Sequence, residues 1–557
     1  MTVFGNNHCF VGAVLLAVTG VLVLYRVQFN TGKNSWAVEL VRQGKYPWSV
    51  HGSQDLNPKF KVINVASHRT RLQRLQNDTI NFDWVTSANH TTVEIVNPKS
   101  FYSVGDLLFI EIIARDGKGR RKLYGGDYFE AVLKDENVKG STTGRIQDHG
   151  NGAYTITFEL SFPGTVTPKV HLVHVSEAVL LLKEFRKVPN KRKWLCGFQN
   201  GEKKLKKSCT FFANRSLALS DQCDFSAPNT SRTWFCEKPK DIPCEAITIC
   251  QSTKYTEAID AMVSGAQRKL FERPFWKADL SFVNATVLVK PSNDVVSSLP
   301  SCGPGVTRGQ SEGYWINGEW HSLACRTKQF TVKGIMKCLA NHTVRFLGDS
   351  TIRQWSERLV HLGIVEQGPG NRMKGPYTNF NRLHGIEASF RFHTVPQQGS
   401  SRWPFINLTK RGVSVEIKEM IGGPNVVIAL SLCAHFAPEP IHVYRSRIAE
   451  IKSAIGELHR RHPGTKVIIK TCNTRNQRNY RDLVVQSDWL LDQLNQEMRS
   501  ILGNSTVAIL DVWEMTMSMW YPPSIHPRLH VVDNEISLLM SYICPGEVEL
   551  PRMIMKG

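Results

Sequence analysis

Two hydrophobic periods divide this chain, and no single fold satisfies both. From Thr91 the runs TVEIVNP, LLFIEIIARD, YFEAVLKD, TGRIQDHGNGAYTITFEL and TPKVHLVHV alternate apolar and polar residues. Gly, Asp, Asn and Pro punctuate them about every ten residues. A period of two belongs to strands buried on one side. Residues 81–176 are therefore expected to form an antiparallel β-sandwich of immunoglobulin or filamin type. No catalytic constellation stands out there; Asp148, His149 and Asn151 read as a turn.

From about residue 338 the period changes. Val344, Phe346 and Leu347 suit a short buried strand. Ile352, Trp355, Leu359 and Leu362 then line one face of a helix ending before Gly363. After a long connection, 364–424, Asn425–Leu432 is a continuous apolar run suited to a strand covered on both faces. Val443–Leu458 reads as a helix, Lys466–Lys470 as a strand, Ser487–Leu502 as a helix, Val507–Val512 as a strand and Glu535–Ile543 as a last helix. Alternation of this kind predicts a parallel, doubly wound sheet over residues 336–557.

The intervening residues 177–335 have poor periodicity and many cysteines, and are expected to be loop-rich, with short strands stapled by disulfides. Cys196, Cys209, Cys223, Cys236, Cys244 and Cys250 crowd one segment without a C-x-x-C pair, which argues against zinc. Cys302, Cys325, Cys338 and Cys544 complete the disulfide candidates. Twelve cysteines lie beyond Cys9, an even number that suits an oxidising compartment. Eight N-x-[ST] sequons agree with that compartment: Asn77, Asn89, Asn214, Asn229, Asn284, Asn341, Asn407 and Asn504.

The N-terminus points the same way. Phe10–Tyr25 is an uncharged apolar stretch followed by no clean small-x-small cleavage site. Residues 1–26 are expected to be an uncleaved signal-anchor or a cleaved signal peptide, and 27–80 a polar, basic stem. The net charge of +21 would suit nucleic acid, an anionic membrane surface or acidic glycans. Sequons and disulfide-like cysteines disfavour nucleic acid. Neither a P-loop, a dinucleotide fingerprint nor a metal-ligand cluster occurs, so no tightly bound cofactor is expected.

Ser350, in RFLGDSTIRQW, sits between a strand and a helix. Asp349 and Ser350 are helix-capping residue types, yet a strand-end serine also lies where open α/β sheets place their ligands. A serine nucleophile needs a base. His526 and His530, in SIHPRLHVVDNEISLLMSYIC, lie on the loop after the last strand, and either could serve.

These pieces carry a resemblance. FLGDSTIRQW, VIALSLCAHF and IHPRLHVV resemble the SGNH/GDSL hydrolase superfamily. Together with ARDGKGRRKLYGGDYFEAVL, NGAYTITFEL, VHVSEAVLLL, WFCEKPK and GYWINGEWHSLAC they resemble the neurexophilin and PC-esterase domain (NXPE) family. The resemblance implies Ser350 as nucleophile, its own N–H as an oxyanion donor and His526 as base. It suggests Gly385, and His435 in place of the superfamily's asparagine, as further donors. The superfamily's D-x-x-H acid is missing, because Pro523 stands three residues before His526; Asp511 and Asp533 are the substitutes. Arg353, Arg391 and His393 could face the same cleft and suit a carboxylate, with His530 holding His526 or substrate.

Two functions follow. One is an acyltransferase or esterase of the secretory pathway, in the Golgi membrane or secreted. It would act on hydroxyls of a glycan or glycoprotein, sialic acid O-acetylation among them, with an acetyl donor such as acetyl-CoA for transfer. The other is a secreted or cell-surface binding protein whose partner is a neurexin-like receptor.

Overall fold

The computed structural model describes residues 10–12, 25–27, 70–75, 80–191, 194–226, 233–252, 256–280, 286–292, 299–307, 309–370, 375–393, 412–503 and 505–547. The chain divides into two units, Met1–Ser67 and His68–Gly557. In the first, strands Phe10–Gly12 and Tyr25–Val27 pair antiparallel. The rest of the expected apolar segment and most of the expected stem lie outside the described residues. No helix among the described residues is long and apolar enough to cross a membrane.

The second unit is β-rich, with several sheets. An antiparallel four-stranded sheet runs in the order Thr92–Ile95, Leu107–Ile113, Ala153–Glu159, Arg145–Asp148. Its alternation is regular: Leu108, Ile110 and Ile112 are fully buried, while Leu107 and Phe109 face out. The inner residues share one core with Phe129, Ala131, Leu133, Val166, Val170 and Leu172 of an eight-stranded sheet. That second sheet draws strands Trp276–Asp279, Val287–Lys290, Gly313–Ile316 and Glu319–Ser322 from beyond residue 176. The stretch 177–335 is thus partly woven into the sheet before it. At the other end Leu75, inside the expected stem, is buried in the same core.

Five of the six crowded cysteines fall in a five-stranded antiparallel sheet and the sixth, Cys244, starts a short 3-10 turn beside its last strand; they pair as Cys196–Cys250, Cys209–Cys236 and Cys223–Cys244. Cys302–Cys325 and Cys338–Cys544 follow. A sixth bridge, Cys433–Cys472, joins two cysteines absent from the sequence-based candidates. Six disulfides place the chain in the secretory pathway or outside the cell.

The C-terminal part is built on β1 (Thr343–Gly348), α1 (Ser350–His361), β2 (Tyr377–Asn381), β3 (Ile386–Phe392), α2 (Val413–Glu419), β4 (Val426–Ser431), α3 (Ile441–Arg461), β5 (Lys466–Lys470), α4 (Tyr480–Gln486), α5 (Asp488–Leu502), β6 (Ala508–Leu510), α6 (Trp513–Met517) and α7 (Leu529–Ile543). The sheet order is β2-β3-β1-β4-β5-β6. Every neighbouring pair from β3 to β6 is parallel, and β2 is antiparallel to β3. The apolar runs of β1, β4 and β5 are buried because helices cover both faces. In such a sheet the carboxyl ends of the strands share one edge, where ligands bind.

Candidate active site

Backbone geometry fixes the position of Ser350. Gly348 ends β1 at φ +146, and a Cβ there would lie 2.0 Å from the Ser431 carbonyl oxygen at the end of β4. Only glycine allows the two strand exits to approach so closely. Asp349 donates its N–H to the Ser431 carbonyl at 3.1 Å. Its carboxylate accepts from the Thr351 N–H at 2.8 Å and the Thr351 hydroxyl at 2.7 Å. Asp349 is therefore the N-cap, and Ser350 is the first helical residue. The Ser350 N–H belongs to the first turn, where the helix supplies no carbonyl to accept it and the dipole favours negative charge.

His526 comes to Ser350 from the loop between α6 and α7, with Nε2 2.7 Å from Oγ. Partial burial of the imidazole, helped by the Arg353 cation, holds it below the ordinary histidine range, while Asp349 and then Glu357 oppose the shift. The residue as a whole is exposed, and with its pKa below the ordinary histidine value the neutral form prevails near pH 7. A neutral Nε2 accepts the serine proton. Among the described residues, no carboxylate hydrogen-bonds Nδ1.

The remaining sequence candidates are distributed as follows. Asp511 sits at the same sheet edge but is spoken for: it accepts from the Thr471 hydroxyl at 3.0 Å and the Trp513 N–H at 2.8 Å, and pairs with Arg499. Asp533 forms a two-pronged pair with Arg358, at 2.6 and 2.9 Å. Neither is brought to His526. His530 points elsewhere, between the rings of Trp315 and Tyr521 at 6.5 and 5.7 Å. Gly385 is misplaced as an oxyanion donor. It precedes β3, whose far end, Phe392, pairs with Gly348. At about 3.3 Å per residue it lies about 20 Å along the strand from the Ser350 edge. Its φ of +64 serves a turn packed on Asn341.

His393 and His435 do reach the serine's edge. The His393 N–H donates to the Gly348 carbonyl at 2.9 Å, and His393 Nε2 meets His435 Nδ1 at 2.8 Å. The structure thus pairs the two imidazoles with each other. Arg391 is ion-paired to Glu416 at 2.7 Å, and Arg353 to Glu357 at 3.0 Å. Of the sequon asparagines, Asn89, Asn214 and Asn341 are exposed; Asn77, Asn229, Asn284, Asn407 and Asn504 lie outside the described residues.

Two family models match this chain. One is described as Neurexophilin, over residues 69–264; the other as NXPE family member 4-like, C-terminal domain, over residues 320–544. Together they span three-quarters of the sequence, in the order the two hydrophobic periods require. The chain belongs to the NXPE family. Ser350 and His526 both fall inside the NXPE C-terminal match.

Solved structures similar to the NXPE chain include a carbohydrate esterase, at 8% identity over 82% of this chain and 97% of that one, with a TM-score of 0.19. A family two carbohydrate esterase mutant from Clostridium thermocellum matches at 9% identity over 82% and 98%, with a TM-score of 0.20. An acetyl xylan esterase from the rumen bacterium Butyrivibrio proteoclasticus matches at 8% over 82% and 99%, with a TM-score of 0.18. Likeness this low carries no weight for fold or activity.

Sequence reasoning missed the residues that hold the His526 loop. Asn473, just after Cys472 at the exit of β5, donates its Nδ2 to the carbonyls of Ser524 at 3.0 Å and Ile525 at 3.3 Å. Gln354 of α1 donates to the Pro527 carbonyl at 3.1 Å. An asparagine beyond a buried strand was the available signal, but it gains meaning only once β5 is known to neighbour β6.

Proposed function

We propose that the NXPE chain is a secretory-pathway acyl-transfer enzyme acting on glycan hydroxyls, with an SGNH-like C-terminal domain as its catalytic part. The contact between Ser350 Oγ and His526 Nε2 at 2.7 Å, at the start of α1, carries this reading. His526 takes the hydroxyl proton as Oγ attacks the acyl carbonyl, and the Ser350 N–H faces the developing oxyanion. His526 then gives the proton to the leaving group, forming acyl-Ser350. In the second half a sugar hydroxyl loses its proton to His526 and attacks the acyl carbon; the proton returns to Ser350 Oγ. With water as acceptor the same steps make an esterase.

An acetyl thioester such as acetyl-CoA is the donor class that suits transfer. Arg353, the largest single charge acting on His526, is the group that suits an acidic glycan such as one bearing sialic acid, which would compete for it with Glu357. A Golgi membrane anchor within residues 1–26, a stem and glycosylated sequons complete the proposal. The upstream sheets are its immunoglobulin-like and neurexophilin-like parts. The test is mass spectrometry of O-acetylated sialoglycans on cells expressing wild type or Ser350→Ala at matched levels. A rise with wild type alone supports a transferase, and a Ser350-dependent fall an esterase. No change in either counts against the acyl-transfer reading.

A second reading, a non-catalytic binding protein with a neurexin-like receptor, is favoured by the Neurexophilin match over residues 69–264 and by the missing D-x-x-H acid. Binding to such a receptor that survives Ser350→Ala, with glycans unchanged, would support it.

A further inference from the structure

We propose that Asn473, and not a carboxylate, is the group that positions His526, by clamping the backbone on which the imidazole stands. This rests on the acyl-transfer reading of Ser350. A serine–histidine–acid triad orients its base through Nδ1. Here the loop itself is fixed instead. The Pro523 carbonyl accepts from the Asn476 N–H at 3.1 Å. The Ser524 and Ile525 carbonyls share the Asn473 amide, and the Pro527 carbonyl is held by Gln354. The carbonyls on both sides of His526 are thus tied to two scaffolds: the exit of β5 and the nucleophile's own helix.

Asn473 is equipped for the task. It is only 6% exposed, and its Oδ1 faces the buried Lys470 ammonium at 3.4 Å. That contact assigns oxygen and nitrogen of the amide: the oxygen takes the cation and the nitrogen is left to donate to carbonyls. Cys472 beside it is bridged to Cys433 at the exit of β4, and its N–H is held by Asn495 Oδ1 at 2.8 Å. The clamp therefore rests on β4, which neighbours β1, and on β5 beyond it. An aspartate at 473 would offer carbonyl oxygens a negative charge and no donor.

The experiment uses the full chain, expressed through the secretory pathway, and a fluorophosphonate probe. Ser350 Oγ forms a bond to phosphorus, fluoride leaves, and His526 takes the hydroxyl proton. Labelling rates are measured for wild type, Asn473→Ala, Asn473→Asp, Gln354→Ala, His526→Ala and the His526→Ala double variants, with melting temperatures as fold control. Displacing a base by about 1 Å costs about 10²-fold, so Asn473→Ala is expected to label about 100-fold more slowly, and Asn473→Asp no faster. Gln354→Ala, on the other scaffold, is expected to lose about tenfold, since one of the held carbonyls is released. In the His526→Ala background each further change is expected to cost less than about threefold, because a positioning residue has nothing left to position. Equal costs in both backgrounds, or an Asn473→Ala rate equal to wild type, would overturn the clamp while leaving Ser350 as nucleophile. A wild-type chain unlabelled at Ser350 overturns both.

Discussion

At the scale of single residues, the charge beside His526 sets when it can act. Burial and the Arg353 cation depress its ionisation, so the neutral base persists below the ordinary midpoint of 6.5. Activity should therefore hold into mildly acidic conditions and fall only as pH drops through the depressed value. Removing the cation removes one cause of the depression and leaves Glu357 without its partner, and both changes stabilise imidazolium. Arg353→Gln is thus expected to move the acid limb of the Ser350 labelling profile to higher pH. An unmoved or lower limb would show that Arg353 does not act on the base.

At the scale of elements, two glycines make opposite predictions. Gly348→Ala must push a methyl into the Ser431 carbonyl at an unfavourable φ, and is expected to destabilise by about 3 kcal/mol or more and to abolish labelling. Gly385→Ala is strained as well, at about 1–2 kcal/mol, but sits at the far edge of the sheet. It should lower the melting temperature and leave the labelling rate of the folded fraction intact.

The same contrast shows what was legible in the sequence. Strand, serine and helix from Val344 to Leu359 followed from local periodicity and capping, which depend on neighbours in the chain. His526 was legible because parallel strands with helical crossovers must bring their following loops to one edge. Gly385 was misread because its motif says nothing of which end of β3 it occupies. Asp511 was misread because a carboxylate at the right edge can still be consumed by Arg499 and Thr471. The Cys433–Cys472 bridge depended on β4 and β5 being neighbours, and Asn473 on β5 and β6 being neighbours, which residue spacing alone does not state.

At the scale of the whole molecule, the upstream sheets and the α/β part share polar seams. Glu514 accepts from the Thr143 hydroxyl at 2.6 Å, the Ser311 hydroxyl at 3.0 Å and the Glu312 N–H at 2.7 Å. The Trp315 indole donates to the Met515 carbonyl at 2.9 Å. Residues 336–557 expressed alone would leave Glu514 without those donors, and are expected to aggregate or be retained by the secretory machinery where the full chain is exported. A second whole-molecule effect comes from Glu130. Burial, and then the Asp488 charge, raise its carboxyl to about 7. A raised folded value means that its contribution is full below the unfolded value and is lost as pH rises through about 7. Glu130→Gln should therefore flatten the fall in melting temperature between pH 5 and 8, as read by thermal denaturation over about that range.

The Cys338–Cys544 bridge closes a loop 206 residues apart in sequence, and such a closure is worth about 5 kcal/mol on a chain-entropy model. It also makes the α/β part a covalent ring. A protease that cuts once anywhere inside the ring opens it without releasing a fragment. Such a nicked molecule would run as one species without reductant and as two with it, so its apparent intactness on a gel would depend on whether the thiols had been freed.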